Sequence, residues 1–186
     1  MPRSRIINLH AALAGFFLPV GVMFFITGAL YTWGQKGSYN TTSVEVALTA
    51  PLEKSDKDGM AALVTKELDA RELGHPTGKA KVKSAGTSFY LEWTGSNRDV
   101  TLAPTSNPTV AELKIKDTTL YRRMVQLHKA KGGQVFKIVA ALLTVGLLML
   151  FASGFRLALA NPATKKAAFV GAGAGLVLFI VAILAS

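Results

Sequence analysis

The sequence contains no cysteine, which removes disulfides, iron–sulfur clusters, thiol catalysis and cysteine-ligated zinc. Acidic residues are missing from both ends. All eleven Asp and Glu lie between Glu45 and Asp117, together with ten of the 21 Lys and Arg, so that stretch nets −1. The other eleven basic residues have no acid among them and supply the whole +10. A nucleic-acid binder would carry such an excess on a folded basic face. Apolar segments with basic flanks are instead the charge layout of a membrane protein. H-E-x-x-H, Walker and G-x-S-x-G patterns are also missing, and no catalytic residue is assigned. No acid falls within an apolar run, which argues against a proton- or cation-coupled transporter.

Three segments are long enough to cross a bilayer, which takes roughly 20 apolar residues. They are Ala11–Trp33, Ile138–Phe155 and Ala167–Ser186, all uncharged. The second has 18 residues, but Phe136 and Leu157–Ala160 lengthen it, while Lys137 and Arg156 can snorkel. Arg3 and Arg5 ahead of the first could suggest a cleaved signal, yet the run is too long and no A-x-A site follows. The expected organisation is a tail and first span over 1–33, a middle domain over 34–119 and a basic interfacial helix over 120–133. The second span then covers 134–160, a short turn 161–166 and the third span 167–186. With the N-terminus inside, five basic residues face the cytoplasm (Arg3, Arg5, Arg156, Lys165, Lys166). The reverse places six there (Lys36, Arg122, Arg123, Lys129, Lys131, Lys137). Long loops translocate largely regardless of charge and the first helix usually dominates, so we expect the N-terminus inside and 34–133 outside.

The middle segment reads as a small folded domain. Val44, Val46 and Leu48 alternate as in a strand. A helix is predicted from about Asp56 to Leu73, opened by Ser55 with Asp58 and stopped by Gly74 and Pro76. Met60, Leu63, Val64 and Leu68 form its apolar stripe. Four alternating runs follow at Lys79–Lys83, Ser88–Thr94, Asp99–Ala103 and Ala111–Lys116. One helix on one face of a four- or five-stranded antiparallel meander would bury that stripe, opposite Phe89, Leu91 and Trp93. From Leu120 to Lys131 the pattern turns helical and basic, which suits a helix among lipid phosphates or a platform for an acidic soluble partner.

A loose internal repeat runs through the apolar parts. The first span opens with Leu9-His10 and closes with Thr27-Gly28. The second is preceded by Leu127-His128 and Gly132-Gly133 and closes with Ser153-Gly154. A His-led helix ending in Thr-Gly, an α+β insertion, then Leu-His-x-x-x-Gly-Gly before a helix ending in Ser-Gly resembles the PepSY-associated transmembrane family. The resemblance covers nearly the whole chain. It implies a membrane α-helical protein of three transmembrane helices, with an extracytoplasmic α+β PepSY-like domain inserted between helices 1 and 2, in the inner (plasma) membrane of a bacterium. Larger family members have about four spans and include reductases that use haem b to release iron from siderophores. This chain has three spans and half as many histidines.

Two readings stand for each membrane histidine. His10 and His128 are haem-iron ligands, as the resemblance implies, or His10 faces headgroups beside Asn8 and Arg5 while His128 rides on the basic helix. His75, in Gly-His-Pro-Thr-Gly, reads as an exposed turn residue. If haem b is bound, His10 and His128 lie at levels about 20 Å or more apart. One chain then offers one ligand per level, and a homodimer or a heteromeric membrane partner supplies the other. The G-x-x-x-G spacing of Gly171 and Gly175 allows close packing on the other spans or on a second copy. Two functions follow: a haem-b-linked, ferric-reductase-like electron-transfer component, or a non-catalytic accessory subunit whose outer domain binds a partner. The partners expected are the lipid bilayer and an extracytoplasmic metal or protein, with no nucleic acid.

Overall fold

The computed structural model describes residues 2–186. Among the described residues the order is α1 (Arg3–Thr32), β1 (Tyr39–Ala47), α2 (Lys57–Asp69), β2 (Ala80–Ala85), β3 (Ser88–Thr94), β4 (Arg98–Pro104) and β5 (Val110–Thr118). Then come α3 (Leu120–His128), α4 (Gly133–Leu159) and α5 (Pro162–Leu184). The chain divides into a helical unit, made of residues up to Val22 with Ala140–Ser186, and a mixed unit, Met23–Val139.

In the mixed unit the strands form one antiparallel sheet of order β1-β5-β4-β3-β2. β2 to β5 are the expected meander, and β1 closes the far edge by pairing β5 from Tyr39↔Thr118 to Ala47↔Val110. The register lines up Leu91, Leu102 and Leu113 across β3, β4 and β5, with Val100 and Ile115 beside them on the same face. All five are buried. α2 covers that face with Met60, Val64 and Leu68, one side chain per turn. Burying a leucine fully contributes about 1.5–3 kcal/mol, so this single layer holds the domain. Leu91 is central, while Phe89, Trp93 and Leu63 pack half-buried at its margin.

Two local expectations need correction. The cap of α2 is Asp56 rather than Ser55: the Asp56 carboxylate accepts from Gly59 N at 2.9 Å. The helix also stops at Asp69, four residues early. Leu73 N donates back to Leu68 O at 2.9 Å, and Glu72 takes a left-handed conformation (φ 54°), which returns Leu73 to the core. The polar turn Gly95–Asn97 is not an exposed tip. Ser96 is buried, and its N–H donates to Thr77 Oγ1, while Thr118 Oγ1 donates to the carbonyls of Ser96 and Asn97.

α1, α4 and α5 are each long and apolar enough to cross a membrane, at 30, 27 and 23 residues. The chain is a multi-pass membrane protein, its sheet domain inserted between the first two spans. Pro19 lies inside α1 without ending it, as lipid-embedded helices tolerate. In the helical unit, Gly146 of α4 receives the Phe17 ring of α1. The packing expected of Gly171 and Gly175 on the other spans is not seen. Nothing lies within 4 Å of a Cβ built at either, and α5 buries no residue. The apolar surface of α5 faces outward along its length.

Candidate functional site

The first site lies in the helical unit. His10, half-buried on α1, has Nδ1 2.8 Å from Ser153 Oγ on α4. The serine hydroxyl donates to Leu150 O, one turn back, at 3.2 Å. When that hydrogen goes to the carbonyl, Ser153 accepts from the ring, and Nδ1 then carries the proton and Nε2 the lone pair. Nε2 has no hydrogen-bond partner among the described residues. Gly154, next to the serine, makes the approach possible: a Cβ there would stand 3.3 Å from His10 Cε1. A groove of about 670 Å³ opens beside the ring, its other walls Ala14, Leu150, Phe151, Phe155 and Ala158, all apolar.

The second site, in the mixed unit, repeats the construction. His128, the last residue of α3, has Nδ1 2.8 Å from Thr27 Oγ1 on α1. Thr27 donates to Met23 O at 2.6 Å and is 2% exposed. With its hydrogen on that carbonyl, its oxygen accepts from Nδ1, which leaves the His128 lone pair on Nε2. A Cβ at Gly28 would stand 3.2 Å from His128 Cε1. Phe24 packs on the imidazole with centroids 4.8 Å apart, and Phe136 stacks on Phe24. Gly132-Gly133 forms the joint from α3 to α4. Gly133 is left-handed (φ +73°), and a Cβ on Gly132 would strike Leu127 and Phe136. A cavity of about 270 Å³ adjoins the ring, lined also by Tyr31, Val125 and Lys129.

His128 is thus packed against the end of α1 rather than standing free above it. The sequence repeat resolves crosswise: the histidine that opens each half meets the hydroxyl-glycine pair that closes the other. Neither Thr27 nor Ser153 stands out in the sequence as a histidine partner, and the repeated order of His and Thr/Ser-Gly is the signal that marks them. His75 lies exposed, its Nε2 2.8 Å from Asp69 Oδ1.

A polar clasp behind His128 fastens α3 to the sheet, and nothing in the sequence marks it. Gln126, fully buried, donates Nε2 to Asp99 Oδ2 at 2.9 Å and to Tyr39 Oη at 3.0 Å. Tyr39 donates to the same Asp99 oxygen at 2.7 Å and accepts from Arg122 Nη2 at 2.7 Å. The Arg122 guanidinium also lies 4.5 Å over the Tyr39 ring. Gly95 N donates to the other Asp99 oxygen. Burial, then the hydrogen bond to Asp99, raise the Tyr39 phenol above its ordinary 10.0, against the pull of Arg122.

Among the described residues no three His, Asp or Glu side chains converge as a metal site. At each site one imidazole stands beside a glycine that leaves room for it; the groove at His10 has apolar walls, whereas the cavity at His128 also takes in Tyr31, Thr32 and Lys129. This arrangement defines a class: a spanning-helix protein in which half-buried histidines meet hydroxyls from another helix, with an α/β domain between. The PepSY-associated TM region matches residues 1–160, and the chain belongs to that family. The match takes in both histidine sites and ends before α5. Searches among curated proteins and among solved structures returned no match.

Proposed function

We propose that this chain is a haem-b-linked electron-transfer component of ferric-reductase type in a bacterial inner membrane, with the N-terminus cytoplasmic and residues 34–133 extracytoplasmic. The observation that carries the reading is the doubled His–hydroxyl–glycine arrangement. A surface histidine has no need of a hydroxyl that fixes its tautomer, and here the same solution occurs twice. His10 and His128 would each hold the haem iron through Nε2, while Ser153 and Thr27 would hold the opposite nitrogen protonated. Such partners orient a ligating imidazole and raise its basicity. Haem b, when bound, supplies reversible one-electron transfer at a potential set by its ligands and their surroundings. Because each site contains one histidine, the second ligand comes from a second copy. A twofold axis along the membrane normal pairs His10 with its copy and His128 with its own. A heteromeric membrane partner could fill the same role.

The test is the absorption spectrum and haem content of protein purified from haem-replete cells. A reduced α-band of b type with one haem per chain, falling to half in His10→Ala and in His128→Ala, is the expected result. Full haem in both variants would overturn the ligand assignment. A colourless wild-type preparation would overturn the electron-transfer reading in favour of an accessory subunit whose outer domain binds a partner.

A further inference from the structure

β2 and the residue before it carry a lysine at every second position. Lys79, Lys81 and Lys83 alternate with Ala80 and Val82, which pack on the core, so the lysines stand on the opposite face of the sheet. The α3–α4 joint brings Lys131 and Lys137 to the same place. Five lysines thereby line one groove of about 450 Å³, together with Thr94 and Gly78. Glu92 is the one carboxylate in its lining, and Lys83 already holds it at 2.6 Å. Lys131 reaches buried Asp99 at 3.5 Å. Lys79, Lys81 and Lys137 have no acidic partner among the described residues. Like charges gathered in a concave site concentrate counter-ions there.

The position of the groove says which anion. Its remaining wall is the first turn of α4, through Gly133, Gln134 and Lys137. From Ile138 that helix runs uncharged to Phe155, so the groove opens where a span begins, at headgroup depth. Val135 and Ile138 are exposed on the same stretch of α4, an apolar track leading away from the lysines. We propose that this groove is a binding site for the phosphodiester headgroup of an anionic phospholipid, its acyl chains leaving past Val135 and Ile138. The site is separate from both histidines, and its test reads lipid rather than haem, so the two proposals stand or fall apart.

The full chain in neutral detergent would be titrated with phosphatidylglycerol, phosphatidylcholine and inorganic phosphate, with retained lipid counted by native mass spectrometry. Phosphatidylglycerol should be retained at least tenfold more tightly than phosphatidylcholine and should survive excess inorganic phosphate. Lys81→Gln with Lys137→Gln should weaken that retention roughly 30-fold. Lys54→Gln with Lys57→Gln removes the same charge from the same domain outside the groove and should change nothing. Equal retention of the two lipids, or an equal loss in the control pair, would overturn the site. Full displacement by inorganic phosphate would overturn the lipid assignment.

Discussion

Thr27 and Ser153 each donate to a backbone carbonyl of their own helix, and that local bond decides what their histidines present. A hydroxyl whose hydrogen is on a carbonyl acts as an acceptor, which favours an imidazole that gives Nδ1–H and keeps Nε2 bare. Replacing the hydroxyl with a methyl removes the acceptor and should let the ring relax to a mixture of tautomers. In Thr27→Val and Ser153→Ala, the nitrogen-15 shifts of His128 and His10 should move from the Nδ1–H pattern toward averaged values. Haem affinity should fall about 10- to 100-fold, the usual effect of losing such a partner. Thr27→Ser, which keeps the acceptor, should restore both. Unchanged ring shifts in the two methyl variants would show that the hydroxyls do not set the tautomer. The repeated histidines and hydroxyl-glycine pairs were visible in the sequence, but their crossing was not. Linear order puts His10 and Thr27 on one helix, whereas the fold sets His10 beside Ser153 and His128 beside Thr27.

At the scale of elements, alternation and helical periodicity located every strand and α2, because one face of each is buried in a common layer. The Tyr39–Asp99–Gln126 clasp escaped for the same reason. Asp99 points away from Val100 and Leu102, and a polar residue on the far side of a strand reads as solvent-facing until α3 is laid over it. The clasp has a signature in pH. The Tyr39 phenol is raised in the folded chain above 10.0, its value when unfolded. Between those two values the native state holds a proton that the unfolded chain has lost, so stability falls as pH rises. The contribution of Tyr39 is complete below pH 10 and is lost as pH rises through the folded value. Thermal unfolding of the wild type should therefore decline more steeply above pH 10 than that of Tyr39→Phe. Parallel curves for the two proteins would remove Tyr39 from the account.

For the whole molecule, composition was the most informative signal: an acid-bearing middle between acid-free apolar runs foretold three spans and one inserted domain. Orientation is less legible, because five basic residues stand against six and only the weight of the first helix separates them. The absence of cysteine makes the question simple to ask. Ser106→Cys, in an exposed loop, should react with a membrane-impermeant maleimide in intact cells. Ala163→Cys, at the start of α5, should react only after lysis. The opposite pattern would invert the topology and place the lysine groove and the sheet domain in the cytoplasm.

The crossed pairing also sets an order in time. His10 leaves the ribosome 143 residues before Ser153, and Thr27 precedes His128 by 101. At about 5–20 residues per second, His10 waits roughly 7–30 s, and Thr27 roughly 5–20 s, for a partner that has not yet been made. During that interval the first helix already sits in the bilayer with an ionisable ring and no hydroxyl to meet it. The His10 site cannot exist before the insertion of α4 is nearly complete, whereas the His128 partner is made before α4 begins. Chains arrested before Ser153 should therefore keep His10 within reach of water or headgroups, and a cofactor held at His10 must load after translation of α4 rather than during it.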